Sequence, residues 1–115
     1  MKVVVSGSRT ITDREKVRSI LEVQECTTLI HGGAKGVDRF ADEFAREKGI
    51  EVLVVRPNWS LGKGAGLVAN REMALLADKL IAIHDGKSKG TAHMVELMRG
   101  LGKLVDYHLL EATRD

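Results

Sequence analysis

Nine of the twelve glycines in this chain gather in the connections that lead into its helix-like segments. They are Gly7; Gly32, Gly33 and Gly36; Gly62, Gly64 and Gly66; and Gly86 and Gly90. All but the third group directly follow a short apolar run with the character of a strand. In a parallel α/β sheet every such handover lies on one rim, at the carboxyl ends of the strands. Glycine there tolerates positive φ and lets backbone N–H groups approach a ligand closely. The following helices aim their N-termini, each carrying about half a unit of positive charge, at the same rim. Gly49, Gly100 and Gly102 fall at helix ends, on the opposite rim. Turn glycines without a further task would populate both rims evenly.

The intervening pattern predicts the elements. Residues 3–5, three valines, make a buried first strand. Thr12 with Glu15 forms a capping-box pattern that opens a helix to about Gln24, with Val17, Ile20 and Leu21 on one face. Residues 27–31 are a second strand. A second helix follows, with Val37, Phe40, Ala41, Phe44 and Ala45 at helical spacing and Gly49 as its C-cap. Residues 51–55 form strand three, closed by Pro57, and residues 58–64 a longer connection bearing Trp59. Helix three spans about 65–77, strand four 80–83, and a loop 84–91 leads to helix four, which ends near Arg99. Residues 104–107 give strand five, and 111–115 read as a loose tail. The expected architecture is one Rossmann-like, three-layer α/β domain over residues 1–115, with a five-stranded parallel sheet in the order 3-2-1-4-5. That order surrounds one crevice with the loops after strands one, two and four, and the Trp59 loop folds over it.

Of the 115 residues, 43% are apolar and 30% charged, which fits one core and no low-complexity segment. A net charge of +2 does not by itself imply nucleic acid or membrane as a partner. The placement of the cations says more. Arg9, Lys35, Arg39, Lys63, Arg71, Lys87 and Lys89 lie in or beside the glycine loops, an arrangement for an anionic ligand. Cys26 is the only cysteine, so no intrachain disulfide forms, and it reads as a small packing residue. With no apolar run near the ~20 residues of a membrane span and no signal-like start, a cytoplasmic location is expected.

Several chemistries are excluded. Gly86-Lys87-Ser88 imitates the end of a Walker A loop, but Ile81 stands where that loop needs glycine. Gly7 is followed by Ser8, Arg9 and Thr10, so the dinucleotide fingerprint is absent. His31, His84, His93 and His108 lack zinc-ligand spacing, and no metal site or cofactor is expected. His31 and His84 end strands at the rim, where they either touch ligand or pack. Ser6 and Ser8 show no nucleophile-elbow pattern.

Three segments carry a family resemblance: Gly7-Ser8-Arg9; His31-Gly32-Gly33-Ala34-Lys35-Gly36-Val37-Asp38; and the run from Ala82 through His84-Asp85-Gly86-Lys87-Ser88-Lys89-Gly90-Thr91 to Met94. Together with Pro57, Trp59 and the stretch 62–73, they make the chain resemble the YspA/YpsA-related branch of the SLOG superfamily. These are Rossmann-like proteins related to the lonely-guy phosphoribohydrolases and the DprA-type DNA-processing proteins. The resemblance implies a nucleotide or nucleotide derivative in the crevice. Amides of Gly32, Gly33, Ala34, Lys35 and Gly36, and of Gly86, Lys87, Lys89, Gly90 and Thr91, would cradle phosphate beside Gly7 and Ser8. The Thr91 hydroxyl would donate or cap its helix. Lys35, Lys87 and Lys89 would neutralise charge, and Arg9 would clamp a phosphate. Asp38 either accepts a ribose hydroxyl or complements the helix dipole; Asn70 and Arg71 would reach the ligand; Trp59 either stacks on a base or locks its loop to the core. His84 and Ala69 depart from the family pattern of an aromatic and an arginine.

The phosphoribohydrolase relatives carry a catalytic glutamate two or three residues after the loop threonine. Here those positions are His93 and Met94, and Glu96 lies five residues on, about 200° around the helix from the expected direction. The leading expectation is therefore a binding module that senses or sequesters a phosphorylated nucleoside, ADP-ribose-like or cyclic. The alternative is an N-glycosidic hydrolase using Asp38, Asp85 or Glu96. Single-stranded nucleic-acid binding is a third reading; with Phe40, Phe44, Trp59 and Tyr107 as the whole aromatic set, nucleic acid is expected to be an unlikely partner. Met94, Val95, Leu97, Met98 and Leu101 make helix four apolar around more than one face, for a homodimer or higher homo-oligomer or for the C-terminal tail.

Overall fold

A computed structural model describes residues 1–110; the tail read over 111–115 lies outside the described residues. The chain runs β1 (Lys2–Gly7), α1 (Arg14–Glu22), β2 (Thr28–His31), α2 (Val37–Lys48) and β3 (Glu51–Val54). A 3₁₀ turn (Trp59–Leu61) leads to α3 (Ala65–Leu76), β4 (Lys79–His84), α4 (Lys89–Gly100) and β5 (Leu104–Leu109). The five strands are all parallel, in the order β3-β2-β1-β4-β5.

β1 is central because its valines can be buried on both faces. Val3 and Val5 point to the layer of α1 and α2, beside Val17, Leu21, Ala41 and Phe44. Val4 points to the layer of α3 and α4, beside Met73, Ala74, Met94 and Met98. The two-residue period of a strand thus serves two cores at once. Val4 lies level with Ile30 of β2 and Leu80 of β4, both fully buried. Each such side chain contributes about 1.5–3 kcal/mol on burial.

Several boundaries differ from the sequence expectation. Asp13, not Thr12, caps α1: its Oδ1 accepts from the Lys16 amide at 3.1 Å. α4 starts at Lys89, so Lys89, Gly90 and Thr91 form its first turn rather than the end of a loop. Its N-cap is Ser88, whose Oγ accepts from the Thr91 amide at 3.4 Å. Gly49 ends α2 in the left-handed conformation, as expected. α4 buries Met94, Val95 and Met98 and half-buries Leu97, so it has little apolar surface to spare. Leu101, just past its end, stays exposed, and the helix that exposes several apolar side chains is α3, at Leu67, Val68, Leu75 and Leu76. Among the described residues no helix is long and apolar enough to cross a membrane.

Candidate functional site

The loops after β1, β2, β3 and β4 meet the first turns of α3 and α4 around a crevice of about 800 Å³. Of the residues singled out in the sequence, Gly7, Ser8, Arg9, Gly32, Gly33, Ala34, Asp38, Trp59, Asn70, Asp85, Lys87, Gly90 and Thr91 line it. Lys35, Gly36, Arg71, Gly86, Lys89 and Glu96 do not. Arg71 and Glu96 are exposed on their helices, and Gly36 wedges the second loop under the first. A Cβ at Gly36, where φ is +74°, would meet the carbonyl oxygens of Ser8 and Arg9 at 2.7 and 2.9 Å. Glycine is the side chain that fits both that conformation and that contact.

The glycine-loop amides have internal partners. In the second loop, Asp38 Oδ2 accepts from the amides of Gly32 (3.1 Å) and Ala34 (3.2 Å). The Gly33 amide donates to His31 Nδ1 at 2.9 Å. An amide only donates, so the His31 ring proton sits on Nε2 and is given to Asp42 Oδ1 at 2.8 Å. Arg46 completes the chain on Asp42 Oδ2 and holds that carboxyl below its usual range. The fourth loop repeats the device. Gly86 donates its amide to His84 Nδ1 (3.2 Å), His84 Nε2 donates to the Ser88 carbonyl (2.9 Å), and Asp85 Oδ1 accepts from the amides of Lys87 (2.8 Å) and Ser88 (3.2 Å). The expected cradle of open amides is therefore closed at Gly32, Gly33 and Ala34 in the second loop and at Gly86, Lys87 and Ser88 in the fourth. His31 and His84 are packed clasps, each nearly fully buried. At the start of α4 the Gly90 amide lines the crevice and has no intrahelical acceptor, so it is left as a donor there.

The floor is lined with hydroxyls. Ser6 and Ser88 both donate to Thr91 Oγ1, at 3.5 and 3.1 Å, and Ser8 Oγ accepts from the Asp85 amide at 2.9 Å. Thr10 donates to Asp85 Oδ2 at 2.6 Å, tying the first loop to the fourth. That bond, followed by the Lys87 amide, depresses the Asp85 carboxyl far below the ordinary value. Asp38 moves the other way: burial raises it, against the pull of the Ala34 and Gly32 amides and of His31. With both oxygens of Asp85 engaged and Glu96 away from the crevice, Asp38 is the carboxyl with an unspent oxygen at the site.

The cations divide by location. Arg14, Arg18, Arg39, Arg46 and Lys48, on or beside α1 and α2, each reach a carboxylate within 4 Å. Arg39, counted in the sequence among the ligand-facing cations, pairs with Glu43. Arg9, Arg56, Lys63 and Lys87 line the crevice, are exposed, and have no salt-bridge partner among the described residues. Arg56 escaped the sequence reading although it lies just past β3 at the same rim. Its guanidinium lies over Gly33, where a Cβ would come within 2.6 Å of Nη1. Trp59 is 61% exposed at the mouth, beside Gly66 of α3. Asn70 lines the wall and donates to the Gly90 carbonyl at 3.1 Å, joining α3 to α4. Among the described residues no three His, Cys, Asp or Glu side chains come together as a metal cluster.

Comparison with known proteins gives three findings. Residues 1–62 match the YspA, cpYpsA-related SLOG family. The chain is 36% identical over 104 residues to the gene 61 protein of Mycobacterium phage D29, covering 80% of this chain and 83% of that protein. Its fold is similar to DNA processing protein A from Helicobacter pylori, with a TM-score of 0.70 and 22% identity over 93% of this chain. This chain spans 64% of that structure's length. DNA processing protein A has a single-stranded DNA binding mode. The expectation that nucleic acid is an unlikely partner, drawn from a small aromatic count, is corrected by that finding: a protein built on this sheet binds a single strand.

Proposed function

Because the chain belongs to the YspA, cpYpsA-related SLOG family, we propose that its crevice binds the phosphates of nucleotides carried in single-stranded nucleic acid. The observation that carries this reading is the set of four exposed cations, Arg9, Arg56, Lys63 and Lys87, around one crevice with no salt-bridge partner among the described residues. A strand asks for positive charge along an open rim and an aromatic on which a base can stack. Trp59 at the mouth supplies the aromatic. A buried phosphate cradle would ask instead for open loop amides, and Asp38, Asp85, His31 and His84 occupy those of Gly32, Gly33, Ala34, Gly86, Lys87 and Ser88. The likeness to DNA processing protein A supports the same reading.

A second reading, a free nucleotide or nucleotide derivative that is sensed or sequestered, is favoured by the crevice volume of about 800 Å³, which is in the range of small-molecule sites. Trp59 is the only tryptophan and reports on either ligand. In a fluorescence titration, an oligothymidylate quenches Trp59. Four phosphate contacts give a slope of log K against log salt of about −3, and each of Arg56→Ala and Lys87→Ala lowers it by about 0.7. Quenching by AMP or ADP-ribose with no response to the oligonucleotide would replace the first reading by the second. Silence with both, confirmed by calorimetry, would remove both.

A further inference from the structure

α3 turns an apolar stripe outward. Val68 and Leu75 are 43% and 65% exposed, and their spacing of seven residues puts them on one line along the helix. Arg71 and Glu72, both exposed, lie between them. At 100° per residue, Arg71 sits about 50° to one side of that line and Glu72 about 50° to the other. Neither has a salt-bridge partner among the described residues, although Arg46, Arg39 and others on α2 do. An apolar line flanked by one cation and one anion is self-complementary under a particular symmetry. With two copies of α3 parallel about a two-fold axis running along them, Val68 meets Val68, Leu75 meets Leu75, and Arg71 of each copy meets Glu72 of the other on both flanks. With the helices antiparallel, Arg71 would face Arg71 and Glu72 would face Glu72.

We propose that this stripe is the interface with a second copy of the chain, joined as a parallel, two-fold α3 pair. A shallow depression of about 190 Å³ adjoins the stripe on the Glu72 flank, bordered by Arg56, Asn58, Leu61, Val68 and Glu72. It receives the aliphatic stem of Arg71 from the second copy, with Leu61 and Val68 against the methylenes and Glu72 against the guanidinium. Arg56 leaves room for that charge because its guanidinium is turned over Gly33, toward the crevice. The interface is isologous, as a closed dimer requires, and it leaves the crevice mouth at Arg9 and Lys87 uncovered. Arg71, singled out in the sequence as a ligand contact, is assigned here to assembly.

Sedimentation of the full chain over a micromolar concentration series tests the pairing. The expected species has twice the chain mass of 12.6 kDa. Arg71→Glu sets Glu against Glu on both flanks, and Glu72→Arg sets Arg against Arg; each weakens association roughly tenfold. Mixing the two variants restores it, because every flank then joins an acid to a base. The restored heterodimer also serves as the folding control. A monomer at all concentrations, a dimer indifferent to Arg71→Glu, or a mixture no tighter than its components would each overturn the proposal.

Discussion

The second and fourth glycine loops are built to one plan and placed in two different environments. Each begins with a buried histidine whose Nδ1 accepts from a glycine amide two residues on, at Gly33 and at Gly86. Both glycines have positive φ, +77° and +88°. Each loop is then stapled by one carboxylate oxygen that accepts from two further amides. In the second loop the carboxylate comes from the helix beyond and is buried; in the fourth it lies within the loop, partly exposed. The surroundings differ as well. Gly33 and Gly36 are crowded by Arg56 and by the first loop's backbone, whereas a Cβ at Gly86 would meet only Leu109 Cδ1, at 3.7 Å, and one at Gly90, in the first turn of α4, nothing within 4 Å. The second loop is part of the scaffold, and the fourth has the more open surroundings. Hydrogen-bond pattern does not decide that difference; packing does.

The largest effect expected from this contrast is at Gly36. Alanine there must hold positive φ and push against two carbonyl oxygens, so Gly36→Ala loses about 3 kcal/mol in a urea titration. A loss below 1 kcal/mol would show that the second loop yields as easily as the fourth. Next come the two staples, which respond to pH with opposite sign. Asp85 is depressed, so its contribution is complete above the ordinary carboxyl value near 4 and drains away as pH falls below it. Asp85→Asn therefore costs about 1 kcal/mol at neutral pH and flattens the acid limb of a stability–pH curve. Asp38 is raised, so its contribution is complete below about pH 4 and is lost as pH rises through its folded value. Asp38→Asn keeps one acceptor oxygen for Gly32 and Ala34 and removes the decline on the alkaline side. Curves of the same slope for the two variants would break the contrast. The smallest effect is at Gly90, where alanine changes stability by no more than about 0.5 kcal/mol; its effect on oligonucleotide affinity reads out how closely a phosphate approaches the start of α4.

The rim itself was legible in the residues. Gly7, Gly32, Gly33 and Gly90 were placed at the crevice because strand-to-helix handovers in a parallel sheet share one side. Arg56 obeys the same rule and was missed, since its strand is followed by Pro57 and no glycine marks the turn. Other misreadings had a different origin. Asn70 and Arg71 are adjacent, yet one faces the crevice and the other the outside. Which of two neighbours points inward depends on the phase at which α3 settles, and that phase comes from Met73 and Ala74, which pack with Val4, Ile30 and Leu80, while Ala65 and Ala69 are buried as well. The spare apolar face was expected on α4 for a similar reason: Met94, Val95 and Met98 look like a surplus until both α3 and the sheet are there to cover them.

Alternation, helical spacing and glycine punctuation are local properties; they were sufficient for the alternating strands and helices of a parallel sheet, whose common order β3-β2-β1-β4-β5 the chain has, and for Arg9, Lys63 and Lys87 of the cations at the crevice. The destination of each amide was not local. Asp38 captures Gly32 and Ala34 because the loop folds back over the first turn of α2, and Asp85 is tied to Thr10 across 75 residues of chain. A donor's partner is chosen by whatever acceptor packing brings within about 3 Å, so the closing of both loops became apparent when the chain was seen folded.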